Sequence, residues 1–148
     1  MTTPHYLRPI EILLVEDNPG DVRLTQEAAR ETKVHNNMHI VNNGNDAMAF
    51  LRHEGRFGTV PRPDLILLDL NMPGMDGREV LRLVKSDESL RRIPVVIITS
   101  SQAEEDILRA YDLQASCYVT KPVDLEQFIK VVKSIENFWL TIVKLPIE

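Results

Sequence analysis

The sequence predicts an α/β fold, a doubly wound open parallel sheet with helices on both faces. Three observations carry this: short apolar runs recur along the chain, the segments between them have helical periodicity, and the runs end in polar residues.

The apolar runs are IEILLVED at 10–17, LILLDLN at 65–71, VVIITSS at 95–101 and CYVTKP at 117–122, with a fainter MHIV at 38–41. Several are continuous rather than alternating, as strands buried on both faces of a parallel sheet read. After Asn18 and Pro19, GDVRLTQEAARE spaces Val22, Leu24, Ala28 and Ala29 near a helical period. GNDAMAFLRHEG gathers Ala47, Met48, Phe50 and Leu51 before Gly55 stops it. Segment 52–63, RHEGRFGTVPRP, holds two glycines and two prolines and reads as an extended surface loop. GREVLRLVKSD puts Val80, Leu81 and Val84 on one face, and AEEDILRAYDL does the same with Ile107, Leu108 and Tyr111. Asp124 is the expected N-cap of LEQFIKVVKSIENFWLTIVKL, which Pro146 ends. The order is βα repeated five times, and parallel neighbours need helical crossovers, normally right-handed.

A chain of 148 residues suits a single domain, expected to span 1–148. Its composition, 43% hydrophobic and 26% charged, is that of a soluble globular protein. No apolar run reaches the roughly 18–20 residues of a membrane helix, and the opening MTTPHYLRP lacks a signal-peptide apolar region. Cys117 is the sole cysteine, so no internal disulfide forms; a cytoplasmic location is expected, with this small residue in the core. A net charge of −5 argues against nucleic-acid binding. His5, His35, His39 and His53 lack ligand spacing and are expected on the solvated surface.

Ligands of open α/β sheets bind beyond the carboxyl ends of the strands. There the sequence offers Glu16-Asp17, Asp69-Leu70-Asn71, Thr99-Ser100-Ser101 and Thr120-Lys121-Pro122. Three carboxylates a few ångströms apart repel unless opposite charge offsets them. Oxygen ligands without Cys or well-placed His favour Mg²⁺, which prefers carboxylates, waters and phosphate oxygens. Neither G-x-x-x-x-G-K-[ST] nor G-x-G-x-x-G is present, which argues against a nucleotide site. What remains is chemistry on a carboxylate itself, an aspartate taking a phosphoryl group as an acyl phosphate, with Mg²⁺, Lys121 and Thr99 supplying positioning and charge. A strand-end Asp or a Lys-Pro pair is commonplace alone; the four polar strand ends in this order are not.

At these residues the chain resembles the receiver domain of two-component response regulators, the CheY-like fold. The likeness rests on VEDN, LLDLNMPGMDG, IITS and YVTKP and extends over about residues 9–140, with the C-terminal helix running on over about 138–148. It implies strand order 2-1-3-4-5 and Asp69 as the acceptor of a phosphoryl group from a histidine kinase. It further implies Mg²⁺ held by Asp17, Asp69 and the Asn71 backbone carbonyl, with Glu16 acting through water. Lys121 would pair with the phosphate, Thr99 would bond it and shift, and Tyr118 would be the aromatic whose ring moves inward. A cis Lys121–Pro122 bond, frequent in the family, is also expected. Ser100 departs from the smaller Ala or Gly common there, and its hydroxyl bears on access to the phosphate.

Within this family the chain is similar to the small regulators of cyanobacterial and bacterial phytochromes. The similarity lies in PRPDLILLDLN, GREVL, RRIPVV, AEEDI, YVTKPVDLEQF and FWLTIVKLP. It implies a light-sensing, phytochrome-like histidine kinase as partner and a homodimeric regulator. Along the last helix, Leu125, Phe128, Ile129, Val132, Ile135, Trp139, Ile142 and Val143 form an apolar stripe expected in the core, which Val131, Phe138 and Leu145 widen. A helix of some 20 residues outruns the strands it covers. The excess predicts a homodimer through this helix and strand five, engaging Tyr118, Phe128, Val131, Val132, Ile135, Phe138, Trp139, Ile142 and Leu145. With no residues left for an output domain, signalling is expected by protein contact, without turnover of an external substrate. Two alternatives stand beside this reading. An aspartate-nucleophile phosphatase needs a general acid two positions after the nucleophile, where this chain has Asn71. A receiver-like scaffold that is never phosphorylated has no need of Glu16, Asp17, Asp69, Thr99 and Lys121.

Overall fold

The computed structural model describes residues 8–72, 74–110 and 114–134. In chain order they form β1 (Ile10–Val15), α1 (Pro19–Glu31), β2 (Asn36–Val41), α2 (Gly44–Leu51), β3 (Leu65–Asp69), α3 (Gly77–Ser86), β4 (Val95–Thr99), α4 (Gln102–Ala110), β5 (Cys117–Thr120) and α5 (Leu125–Ser134). The five strands make one sheet in the order β2-β1-β3-β4-β5, every pair parallel.

Strand periodicity divides the core in two, because successive side chains point to opposite faces. On one face Leu13, Val15, Ile66, Leu68, Val95, Ile97 and Tyr118 meet Ala47, Met48, Phe50 and Leu51 of α2 and Val80, Leu81 and Val84 of α3. On the other, Ile12, Leu14, Leu65, Leu67, Val96, Ile98, Cys117 and Val119 meet Ala28 and Ala29 of α1 and Phe128 and Val131 of α5. The central strands β3 and β4 are buried at every residue, which is why they lack alternation.

The helix starts are set by side-chain caps. Asn18, Asn43, Asp76 and Asp124 accept from the backbone N–H three residues on, at 3.0, 2.7, 3.1 and 3.0 Å, satisfying donors that the helices leave free. Helix α2 ends at Leu51, four residues before the glycine expected to stop it. Its last carbonyls are closed by the N–H groups of Arg52, His53 and Glu54, with His53 in the left-handed region at φ 57°. The loop that follows is partly ordered by a 3-10 turn, Gly55–Phe57, whose Phe57 ring lies 5.5 Å from that of Phe50. His39 is not a solvated surface residue: its Nε2 lies 2.7 Å from Glu11 Oε1 and its ring packs on Phe50 at 5.6 Å. The pair bridges β1 and β2 where the sequence, read one strand at a time, had no partner to offer.

Of the residues expected at a dimer interface, Tyr118, Phe128 and Val131 are buried within the chain's own core; Ile129, expected in the core stripe of α5, is instead 41% exposed because it falls on the helix face turned from the sheet. The side chain of Val132, and Ile135, Phe138, Trp139, Ile142 and Leu145, lie outside the described residues, as does Tyr111.

Gly77 opens α3 directly beneath the end of β3. A Cβ there would stand 2.6 Å from the Asp69 carbonyl oxygen and 2.6 Å from Leu70 Cα, so only glycine lets the helix start this close to the strand tip. Gly77→Ala is expected to lower folding stability by about 1–3 kcal/mol, the scale of overpacking a fixed backbone. Urea unfolding measures it, and an unchanged midpoint would show that the loop yields freely.

Candidate functional site

The site grows out of strand parity. Glu16 continues the face of Ile12 and Leu14, Asp69 that of Leu65 and Leu67, and Lys121 that of Cys117 and Val119, so all three extend the core face shared with α1 and α5. Register brings them together: Val15 pairs with Leu68 and Asp69 with Ile98, so Glu16 emerges beside Asp69 at the point where strand order reverses around β1.

Lys121 binds the group. Its Nζ donates to Asp69 Oδ2 at 3.1 Å and to Asp21 Oδ2 at 3.0 Å, and lies 3.3 Å from Glu16 Oε1. Asp69 and Glu16 are buried, at 0% and 1% exposed, whereas Asp17 is open to solvent. Ligand oxygens of Glu16, Asp17 and Asp69 all lie within 4.8 Å of one another. A hard oxygen donor set of this kind fits a divalent cation. The Lys121–Pro122 peptide bond is cis, as expected.

The electrostatics follow from crowding. Burial, then the hydrogen bond and charge of Asp69, push the Glu16 carboxyl up to about 7, despite the Asn18 N–H that Glu16 accepts and the nearby Lys121. For Lys121, burial acts to lower the pKa, but bonds to Asp21 and Asp69 and the charges of Asp69 and Glu16 outweigh it and raise it. The ammonium is therefore held charged and the cluster gains from further positive charge.

Around this centre the expected residues divide. Asn71 N–H donates to Asp69 Oδ1 at 3.0 Å, fixing the carboxylate from the loop side, and its side chain donates to Ser100 Oγ at 2.9 Å. Thr99 is fully buried, with its hydroxyl within reach of the Ser101 and Val119 carbonyls at 3.3 and 3.4 Å. Ser100 is exposed at the mouth, and Tyr118 lies inward in the core. Two participants escaped the sequence reading. Asp21 reaches Lys121 from the first turn of α1, three residues past the N-cap, and Glu104 from α4 accepts from Ser100 N–H at 2.9 Å and from the Asn71 side chain at 3.1 Å. Each stands in the first turn of the helix that follows a strand, a position that many solvent-facing acids share, so only the tertiary contact marks it.

A doubly wound sheet with a cation-ready acid cluster, a lysine and a buried hydroxyl at its switch point defines a class of α/β signalling domain. The model of the response regulator receiver domain matches residues 12–133, and the chain belongs to that family. It is 47% identical over 138 residues to the response regulator Rcp1 of Synechocystis sp., covering 93% of this chain and 94% of that one. The phosphorylated cyanobacterial phytochrome response regulator RcpA is 50% identical with a TM-score of 0.74, over 94% of this chain and 99% of that one. The Mn²⁺-bound form of Rcp1 superposes with a TM-score of 0.72 at 47% identity, over 93% and 99% of the two chains. This chain is thus a receiver-domain response regulator related to the phytochrome-associated regulators. Among the described residues no helix is long and apolar enough to cross a membrane.

Titration with Mn²⁺ is expected to raise the melting temperature, growing with the logarithm of free metal once the site is half filled. Asp17→Asn should remove most of that increase while leaving the metal-free protein's melting temperature near wild type, since Asp17 is exposed. A metal response intact in that variant would place the ion elsewhere.

Proposed function

We propose that this chain is a phosphorylatable switch in which Asp69 accepts a phosphoryl group from a histidine kinase in a Mg²⁺-dependent reaction. The observation that carries it is the Lys121 ammonium 3.1 Å from the buried Asp69 carboxylate, inside an acid cluster suited to a hard cation. One P–O bond forms at an Asp69 oxygen as the P–N bond to the kinase histidine breaks. Bound at Glu16, Asp17, Asp69 and Asn71, Mg²⁺ would neutralise the phosphoryl oxygens and orient them. Lys121 offsets the charge that develops on transfer, and Asn71 N–H holds the carboxylate in place for attack. Thr99, Ser100 and Tyr118 respond to occupancy. The Thr99 hydroxyl has one proton and two carbonyls in reach, so a phosphoryl oxygen offers it a third acceptor and a reason to move.

The likeness to Rcp1 and RcpA supports a phytochrome-like sensor kinase as the donor, and the single cysteine fits a cytoplasmic setting. A phosphatase reading has less support: Asn71 occupies the general-acid position, and an amide cannot protonate a leaving alkoxide. Signalling then runs through protein contacts rather than turnover of an external substrate, and pairing of two copies through the C-terminal helix and strand five supplies one such contact. The apolar stripe of that helix and the exposed Ile129 support the pairing.

Incubation with Mg²⁺ and acetyl phosphate is expected to add one phosphoryl mass, absent in Asp69→Asn; persistence of the adduct in that variant would refute the assignment. Steady release of phosphate from phosphomonoesters would instead revive the phosphatase. For the dimer, solution mass at micromolar concentration should correspond to two chains and fall to one when residues 138–148 are removed; a full-length monomer sinks the pairing.

A further inference from the structure

The carboxylate of Glu104 sits where the proposed chemistry does not require one. It accepts from the Ser100 backbone N–H at 2.9 Å and from the Asn71 side-chain amide at 3.1 and 3.3 Å, tying α4 to the loops after β3 and β4. A helix-cap role would look different. Ser101-x-x-Glu104 has the sequence of a capping box, and the Ser101 hydroxyl does accept from Glu104 N–H at 3.2 Å. The reciprocal bond of a capping box would run from the Glu side chain to the Ser101 N–H. Here the carboxylate reaches one residue further back, to Ser100, and across to Asn71. It has left the helix end for the mouth of the site.

The donors it occupies matter. Asn71 is the residue whose N–H holds Asp69 Oδ1 at 3.0 Å, so Glu104 lies one residue removed from the acceptor carboxylate. A phosphoryl group on Asp69 brings further anionic oxygens to this edge and needs N–H donors there. Lys121 is already divided among Asp69, Asp21 and Glu16. The Ser100 N–H and the Asn71 side-chain amide are two donors at the mouth, and both are engaged by a resident negative charge. That charge, linked to the Asp69 carboxylate through Asn71, also repels an incoming anionic phosphoryl donor.

We infer that Glu104 is a positioning residue that restrains phosphoryl acceptance: its carboxylate holds Ser100 and Asn71 in the unphosphorylated arrangement and is displaced when Asp69 is phosphorylated. This rests on Asp69 being the acceptor. The displacement frees the first turn of α4 from two loops at once, so the same bonds that slow the reaction report it to the helix.

The test compares full-length wild type, Glu104→Gln and Glu104→Asp with Mg²⁺ and acetyl phosphate, followed by intact mass. Glu104→Gln removes the charge and keeps the shape. It is expected to accelerate phosphorylation at limiting acetyl phosphate by about threefold to tenfold, the scale of one charge acting through a part-solvated mouth, and to lower the half-saturating donor concentration. Glu104→Asp keeps the charge but, one methylene shorter, draws it back from Ser100 and Asn71, and should accelerate clearly less than Glu104→Gln. The acceleration in Glu104→Gln should shrink as salt is raised. A helix-cap role alone would lower the melting temperature of Glu104→Gln and leave its phosphorylation rate unchanged. A rate equal to or below wild type in Glu104→Gln, or Glu104→Asp matching Glu104→Gln, overturns the inference while Asp69 remains the acceptor. A wild type that gains no phosphoryl mass overturns the acceptor reading, and this inference with it.

Discussion

One ammonium among three carboxylates governs the carboxyl edge of this sheet. Lys121 Nζ lies 3.0 Å from Asp21, 3.1 Å from Asp69 and 3.3 Å from Glu16. Taking a carboxylate out of water costs several kcal/mol even after relaxation, and two of these are almost wholly buried. Lys121 offsets part of that cost by pairing with both buried acids. With it, the cluster still carries more negative than positive charge, which leaves room for a divalent cation. A phosphoryl group adds negative charge to the same space. A cation and a phosphoryl group in that space would each be favoured by the other's presence.

The rest of the fold exists to hold that geometry. β3 and β4 are buried on both faces over their full length, so the Asp69 backbone has little room to shift. Four side-chain caps fix where α1, α2, α3 and α5 begin. Gly77 lets α3 start in contact with the Asp69 carbonyl. Asn18 caps α1 and so aims Asp21, one turn in, back at Lys121. Placement of a functional acid here is thus decided by where a helix starts as much as by where a strand ends.

This explains what the sequence could and could not disclose. Strand identity, helix identity and the acids at 16, 17 and 69 were legible because they follow from periodicity of two and 3.6 and from polar residues closing apolar runs. Parity extends this: Glu16, Asp69 and Lys121 fall on one face by counting in twos from Ile12, Leu65 and Cys117. Asp21 and Glu104 were not legible as site residues, since each sits in a helix rich in exposed charge and only tertiary contact singles it out. His39 was misread for the same reason, its partner Glu11 being on a neighbouring strand. The end of α2 was placed late because a glycine at 55 is a visible stop, whereas a left-handed His53 is not.

Helix α4 is tied to the site through two adjacent residues that point different ways. Glu104 faces the β3 and β4 loops, while the buried Glu105 accepts from the Thr120 hydroxyl at 3.1 Å, one residue before Lys121. The two carboxylates thus register α4 against both halves of the cluster, the Asp69 side and the Lys121 side. Ile107, on the same helix, is 59% exposed. The first turn of α4 is bonded to Ser100 and to Asn71, the residue whose N–H holds the Asp69 carboxylate, so a shift at that carboxylate and a shift of the helix are mechanically coupled.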